Sequence, residues 1–263
     1  MKINKIIGLC GSTLLLLFSA CQPIDDREVL ENTTDIDGVV LSATQATEGG
    51  NLIELTMETP GITGYWDYNS GKALTNRVEF VYPIPGTATF TYVGSIGSEF
   101  FSKTIDVQID ELDHAIDQDW YDLVSEETSV GKTWVFAGGP DPDGGKWWYM
   151  SENDDPSKWD IPWWNAAGDC CPPVDAAGKM HFDLDGAANY TYYSKPDAEP
   201  QVGSFALDVG KQTLQVNGQN ILGAEQGNPA GLYTIISLTE DELILYLANN
   251  AGGTGWTWVF KPE

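Results

Sequence analysis

From Gly38 onward, apolar and polar residues alternate in short runs split by Gly, Pro and Asn: GVVLSAT, NLIELTME, YWDY, RVEFVYP, TATFTYVG and FSKTIDVQID. A period of two sends successive side chains to opposite faces of a strand, so each run reads as β with one face buried. Six or seven such strands within residues 38–110 predict an immunoglobulin-like sandwich. In residues 111–131 the period changes: Leu112, Ile116, Trp120 and Leu123 recur at spacings of three and four, which predicts a short amphipathic helix in a linker, with Trp120 as its anchor. Alternation returns in 132–263 with KTWVF, KWWYM, KMHFDL, NYTYY, SFALDV, TLQV, LYTIISL, ELILYLA and GWTWVFK. Connections too short for crossover helices make these strands antiparallel, with a hairpin turn at Asp185 and Gly186. The expected architecture is all-β: the sandwich, then an antiparallel β-sandwich of jelly-roll type, with a lipocalin-like barrel as the alternative closure.

The ends of the chain depart from this pattern. MKINKIIGLCGSTLLLLFSAC has two lysines, an apolar run too short to cross a bilayer comfortably, and a small-residue approach to Cys21. It resembles a bacterial lipoprotein signal, which makes residues 1–20 a leader and Cys21 the lipidated residue. Residues 21–37 follow as anchor and polar tether. The acidic residues Asp25, Asp26, Glu28 and Glu31 resemble the signal that sends Bacteroidota lipoproteins to the exterior face of the outer membrane.

Charge narrows the choice of ligand. The net charge is −26, and loss of Lys2 and Lys5 with the leader takes the 13 basic residues to 11 and the net charge to −28. Nucleic acid and anionic lipid would be repelled, and polyanionic polysaccharides are disfavoured. A neutral glycan meets no such barrier.

Half of the ten tryptophans fall in KWWYMSENDDPSKWDIPWWN, a stretch rich in Asn, Asp and Pro that reads as one long loop over 151–178. A loop of that length in a compact domain is functional or disordered, and its tryptophans argue against disorder. A pyranose offers an apolar C–H face to an indole and a rim of hydroxyls to amides and carboxylates. The candidate stacking faces are therefore Trp147, Trp148, Trp159, Trp163 and Trp164. Asp154, Asp160, Asn165 and Asp169 are the candidate hydrogen-bonding partners, though solvated loop charges and turn formers look the same in sequence. Alternation requires one of Trp147 and Trp148 to enter the core. Trp134, Trp256 and Trp258 sit in apolar strands and read as core, with one face of GWTWVF available to extend the platform.

Once Cys10 leaves with the leader and Cys21 is lipidated, Cys170 and Cys171 remain, as a vicinal disulfide or as two buried thiols. His181 alternates with Met180 and Phe182 and reads as structural. No metal site is expected. Calcium is the remaining cofactor candidate, at Asp141 and Asp143 or at Asp183 and Asp185, but both pairs lack the further ligands a calcium loop needs, and turn chemistry accounts for them.

Two resemblances add to this reading. The segment from Trp66 through FVYPIPGTATFTYVG to KTIDVQI resembles a PKD-like domain, which implies a spacer without a ligand. GKTWVFAGG, PWWNAAGD, KMHFDLDGAANYTYY, YTIISLTEDELILYL and GWTWVFKP resemble the C-terminal domain of Sus-type surface glycan-binding lipoproteins. The chain departs from that pattern in having GGPDPDGG where a His-Phe-Gly segment is frequent, and in its Cys-Cys pair. The resemblance implies a non-catalytic carbohydrate-binding β-domain over 132–263 and β-glucan as the polysaccharide. It also implies a polysaccharide-utilisation system whose importer complex is a partner.

Two other classes compete. A glycoside hydrolase would need two carboxylates about 5–10 Å apart across the scissile bond. The chain lacks E-x-D-x-x-E, H-E-x-x-H, G-x-S-x-G and phosphate-loop motifs. A structural or protein-interaction lipoprotein is the third reading.

Overall fold

The computed structural model describes residues 36–97, 99–138, 148–152, 157, 164–166, 171–224, 228, 230–248 and 254–263. The expected leader, Cys21 and most of the expected tether lie outside these residues. After a 3-10 turn at Ile36–Gly38 come β1 (Leu41–Gln45), β2 (Leu52–Met57), β3 (Thr63–Asp67), β4 (Lys72–Ala73), β5 (Arg77–Val81), β6 (Gly86–Ile96) and β7 (Glu99–Ile109). They form a three-stranded sheet, β1-β2-β5, and a four-stranded sheet, β4-β3-β6-β7, with every pairing antiparallel.

The alternation read in the sequence is realised as alternating burial. Ile53, Leu55 and Met57 on β2 face Ala88, Phe90 and Tyr92 on β6, each large apolar side chain contributing about 1.5–3 kcal/mol by leaving water. Trp66 is fully buried, packs edge-on against Tyr92 at 5.2 Å and donates its Nε1–H to the Asn76 carbonyl at 3.2 Å.

The segment after β7 is tied down by one buried amide. Asn51 Nδ2 donates to the His114 carbonyl at 2.9 Å, its Oδ1 accepts from the His114 N–H at 2.8 Å, and its own N–H donates to Asp113 Oδ1 at 3.1 Å. Ile84 and Leu112 pack against the cores on both sides of this junction.

The helix is shorter than the spacing from Leu112 predicts. It is α1 (Gln118–Val124), because Asp117 holds an extended backbone and caps it, its side chain accepting from the Asp119 N–H. Leu112 and Ile116 precede the helix, while Trp120, Leu123 and Val124 are buried beneath the following domain.

That domain contains β8 (Lys132–Phe136), β9 (Trp148–Glu152), β10 (Trp164–Ala166), β11 (Lys179–Asp183), β12 (Asn189–Tyr193), β13 (Gln201–Asp208), β14 (Thr213–Asn217), β15 (Leu232–Thr239), β16 (Glu242–Leu247) and β17 (Thr254–Pro262). From β11 to β17 each strand pairs with the next in sequence, and β17 returns to β8, which pairs with β11. The result is a closed eight-stranded barrel, so the jelly-roll expectation is corrected in favour of the barrel alternative. The physical reason is connectivity: neighbour-to-neighbour hairpins make a meander that closes on itself, whereas a jelly roll needs long Greek-key crossings.

Side chains fill the barrel. Trp134, Phe182, Tyr190, Tyr233, Leu214, Trp258 and Phe260 are all buried in one cluster. At one end α1 closes it, and Trp134 Nε1 donates to the Leu123 carbonyl at 2.9 Å. At the other end Ile221 and Leu222 plug it, held where Trp258 Nε1 donates to the Gly223 carbonyl at 3.0 Å and Tyr190 Oη to the Asn220 carbonyl at 2.7 Å.

Replacing Asn51 by Ala leaves both polar groups of His114 without their partner. It should lower unfolding stability by roughly 2–4 kcal/mol in a urea titration. A second expectation concerns pH. Hydrogen bonds from the His114 ring and then from Thr47 hold the Asp113 carboxyl at about 2, below the ordinary 3.8. A depressed carboxylate contributes stability in full above the unfolded value and loses it as pH falls toward the folded one. The stability difference between the native chain and Asp113→Asn should therefore be present at neutral pH and vanish as pH drops from about 4 to about 2.

Candidate functional site

The site grows from an irregularity in barrel closure. β17 is long enough to serve two short strands end to end. Phe260, Lys261 and Pro262 pair with Phe136, Val135 and Trp134 of β8, while Thr254 to Trp258 pair with Glu152 to Trp148 of β9. β8 and β9 thus stand in line as one strand interrupted between Phe136 and Trp148. β10 and β11 do the same on the next row, with Trp164 opposite Met150 and Ala166 opposite Trp148, then Met180 opposite Trp134 and Phe182 opposite Lys132.

The tryptophan-rich stretch is therefore not one loop over 151–178, as expected, but begins as a β-hairpin that continues the barrel wall. PWWN reads as loop from its Pro, yet Trp164 to Ala166 find a strand partner in β9, and tertiary pairing overrides the local signal. β10 pairs only with β9 among the described residues, so the wall is split there. The 171–178 segment occupies that side. Asp175, 6% exposed, accepts from Tyr192 Oη at 2.8 Å and from the Gly223 N–H at 3.0 and 3.2 Å. One buried carboxylate thereby joins the segment to β12 and to the 220–224 plug. Nothing in CCPPVD marks Asp175 in the sequence, because its role depends on partners 17 and 48 residues away.

Of the predicted stacking residues, Trp148 is the member of its pair that enters the core. It is 6% exposed, and its Nε1 donates to the Cys171 carbonyl at 3.2 Å. Its ring stacks on Trp256 at 5.3 Å with an interplanar angle of 29°, so it supports a platform from beneath and offers no free face. Trp256, expected in the core of a strand with one face available to the platform, is half-buried. Register places Met150 opposite Trp256 and Leu247 opposite Trp256 on its other side, all on the face that carries Trp148 and Trp258. The described part of the site is thus a cross-strand row of Leu247, Trp256 and Met150, each half-buried, with Trp164 next in register.

Trp147, Asp154, Trp159, Asp160, Trp163, Asp169 and Cys170 lie outside the described residues, and so do Asp141 and Asp143. For Trp164 and Asn165 the backbone pairing alone is described. Cys171 is disulfide-bonded, with a left-handed backbone at φ 58° and a partner outside the described residues. Trp134 and Trp258 are fully buried, as expected of core.

His181 is structural, its Nδ1 3.0 Å from Thr133 Oγ1 on the paired strand. Asp183 accepts from the Asp185 N–H at 2.9 Å and from Asn189 Nδ2 at 2.7 Å, which closes the β11–β12 turn. Among the described residues no three His, Cys, Asp or Glu side chains gather as a metal site. Removing the Asp175 carboxylate as Asp175→Ala should leave the Gly223 amide without its acceptor and break the hydrogen bond from Tyr192. A loss of roughly 2–4 kcal/mol is expected in thermal or urea unfolding, with Asp175→Asn losing less.

Neither a family model nor a curated protein matches the chain.

Proposed function

We propose that the protein is a non-catalytic glycan-binding lipoprotein that captures a neutral polysaccharide by stacking sugar rings at the barrel rim on Trp256 of β17, beside Met150 of β9 and Leu247 of β16. The observation that carries this reading is Trp256: a half-buried indole seated on the buried Trp148 ring, in a wall continued by the paired strands β9 and β10. A ring held from below keeps its orientation without ligand, so little conformational entropy is lost on binding. The barrel interior is packed with its own side chains, which favours a ligand on the wall and rim over an enclosed one.

The strand order β1-β2-β5 facing β4-β3-β6-β7 supports an immunoglobulin-like, PKD-like spacer. The leader and Cys21 support lipid anchoring at the outer membrane, facing the exterior. There the protein would hand polysaccharide to a Sus-type importer, and β-glucan is the substrate the sequence resemblance favours. No helix among the described residues is long and apolar enough to cross a membrane. Cys170 is the proposed partner of Cys171 in a vicinal disulfide. A net charge of −26 favours neutral over anionic glycans. Single-site affinity is expected between micromolar and millimolar, from about 1 kcal/mol per aromatic contact beyond burial, with avidity supplied by many anchored copies.

Affinity electrophoresis of the native chain through gels containing neutral polysaccharides, with reducing-end assays alongside, tests the reading. Retardation without sugar release is expected, and Trp256→Ala should weaken it by about 10-fold. Released sugars would establish a hydrolase instead, and no retardation on any neutral glycan would leave a structural lipoprotein.

A further inference from the structure

Around the rim from Trp256, at the same end of the barrel, a cavity of about 340 Å³ opens between the end of β14 and the start of β15. Its walls are Val216, Asn217, Gly218, Gln219 and Asn220 on one side and Asn228, Ala230 and Gly231 on the other. Four of its eight residues therefore carry side-chain amides, and none is charged, in a chain that carries 39 acidic residues.

The far wall is held by a close backbone approach and by hydrogen bonds. Gly231 adopts φ +64° and lies so close to the Val216 carbonyl that any Cβ there would strike it. The Val216 N–H donates to the Gly231 carbonyl at 2.9 Å, the Gly231 N–H to the Asn228 carbonyl at 2.9 Å, and Asn228 Nδ2 to the Leu232 carbonyl at 3.0 Å. Asn217 and Asn220 are exposed and make no side-chain hydrogen bond within the chain among the described residues. Behind Asn228, which is 8% exposed, lies the hydroxyl of Tyr233, 1% exposed and without a partner in hydrogen-bonding geometry. Burial pushes this phenol up to about 12, and the nearby Asn228 amide offsets part of that rise, so the group is a neutral hydroxyl at physiological pH.

A primary amide presents two donors and two acceptors on adjacent atoms. That arrangement matches vicinal hydroxyls, each of which both donates and accepts. A charged ligand would find no counter-ion in this cavity. An extended peptide would need a free strand edge, and β13, β14 and β15 are each paired on both sides. Leu232, 47% exposed beside Gly231, adds apolar surface for a C–H face. The cavity volume falls at the lower end of small-ligand sites, on the order of 300–1,000 Å³.

We infer that this cavity is a second carbohydrate subsite, in which Asn217, Gln219, Asn220 and Asn228 recognise the hydroxyls of one neutral sugar unit. It sets specificity, while Trp256 supplies stacking. The inference rests on the glycan-binding reading and names where that reading's hydroxyl recognition takes place.

The test uses the full-length 15N-labelled protein, titrated with the methyl glycosides of glucose, galactose, mannose and xylose. Glucuronate, glucosamine and tetraglycine serve as comparators, and the side-chain amide signals of Asn217 and Asn220 are followed. Saturable shifts with at least one neutral glycoside, and smaller ones with the comparators, are expected. In parallel, Asn217→Ala and Asn220→Ala should each weaken oligosaccharide binding about 2- to 10-fold. Both residues are exposed, so folding should be untouched, as circular dichroism would verify.

If no neutral glycoside moves these signals, the subsite is wrong. It is equally wrong if both variants bind like the native chain while Trp256→Ala binds more weakly, and that result leaves the glycan reading intact. Stronger shifts with tetraglycine than with any glycoside also overturn the subsite, in favour of a peptide ligand. If the amide signals respond while Trp256→Ala changes nothing, the subsite stands and Trp256 loses its role.

Discussion

Strand β17 is the spine on which the C-terminal domain depends. Residues 256–260 pair with β16 along one edge, while along the other 260–262 pair with β8 and 254–258 with β9. Remove that double pairing and the barrel neither closes nor carries the hairpin. Its inward side chains, Trp256, Trp258 and Phe260, follow the period of two and change environment along the strand. Phe260 and Trp258 are buried, and Trp256 emerges half-exposed at the rim. One strand thus joins the packing that stabilises the domain to the surface proposed to bind sugar.

Aromatic side chains both fill the barrel and fasten its ends. Trp134, Trp258 and Tyr190 are buried to within 1% of full coverage, and the polar tip of each reaches a backbone carbonyl in a closing segment. A buried indole or phenol that lost its acceptor would bear the desolvation penalty of an unmade hydrogen bond. The same contacts that satisfy the rings therefore hold α1 at one end and the 220–224 plug at the other. Among the described residues the barrel interior is filled by its own side chains, which is why the proposed recognition is placed at the rim. Asp175 fastens the 171–178 segment in a similar way, its carboxylate accepting from Tyr192 of β12 and from the Gly223 N–H of the plug.

The junction between the two modules is small but well satisfied. Asn51 meets the backbone of His114 with both ends of its amide, and Ile84 and Leu112 contribute to both cores. In the proposed role of a spacer above a membrane, such a fastened joint would present the proposed binding surface in a consistent direction. Strong overall negative charge would keep the chain away from anionic surfaces and leave uncharged polymers as acceptable ligands.

Alternating burial was legible wherever a strand has one face in the core, which is why β1, β2, β6, β8 and β11 to β17 appear in the sequence nearly at their true positions. The helix was legible only in part: the spacing of Leu112 and Ile116 extends the apolar period back beyond its true start, which the Asp117 cap sets. What sequence could not supply was partnership across distance. Two-residue β4 and three-residue β10 exist because β3 and β9 offer free hydrogen-bonding edges, and neither carries a period of its own. Barrel closure is invisible for the same reason, since a meander and a sandwich share the same alternation until the last strand finds the first. By itself the sequence determined an all-β chain, a two-part layout and an aromatic concentration near residue 150, because periodicity and composition are local. Tertiary structure alone decided that Trp148 lies beneath Trp256, that Asp175 braces the split wall, and that four amides meet in one cavity, because each needs backbone pairings between residues far apart in the chain.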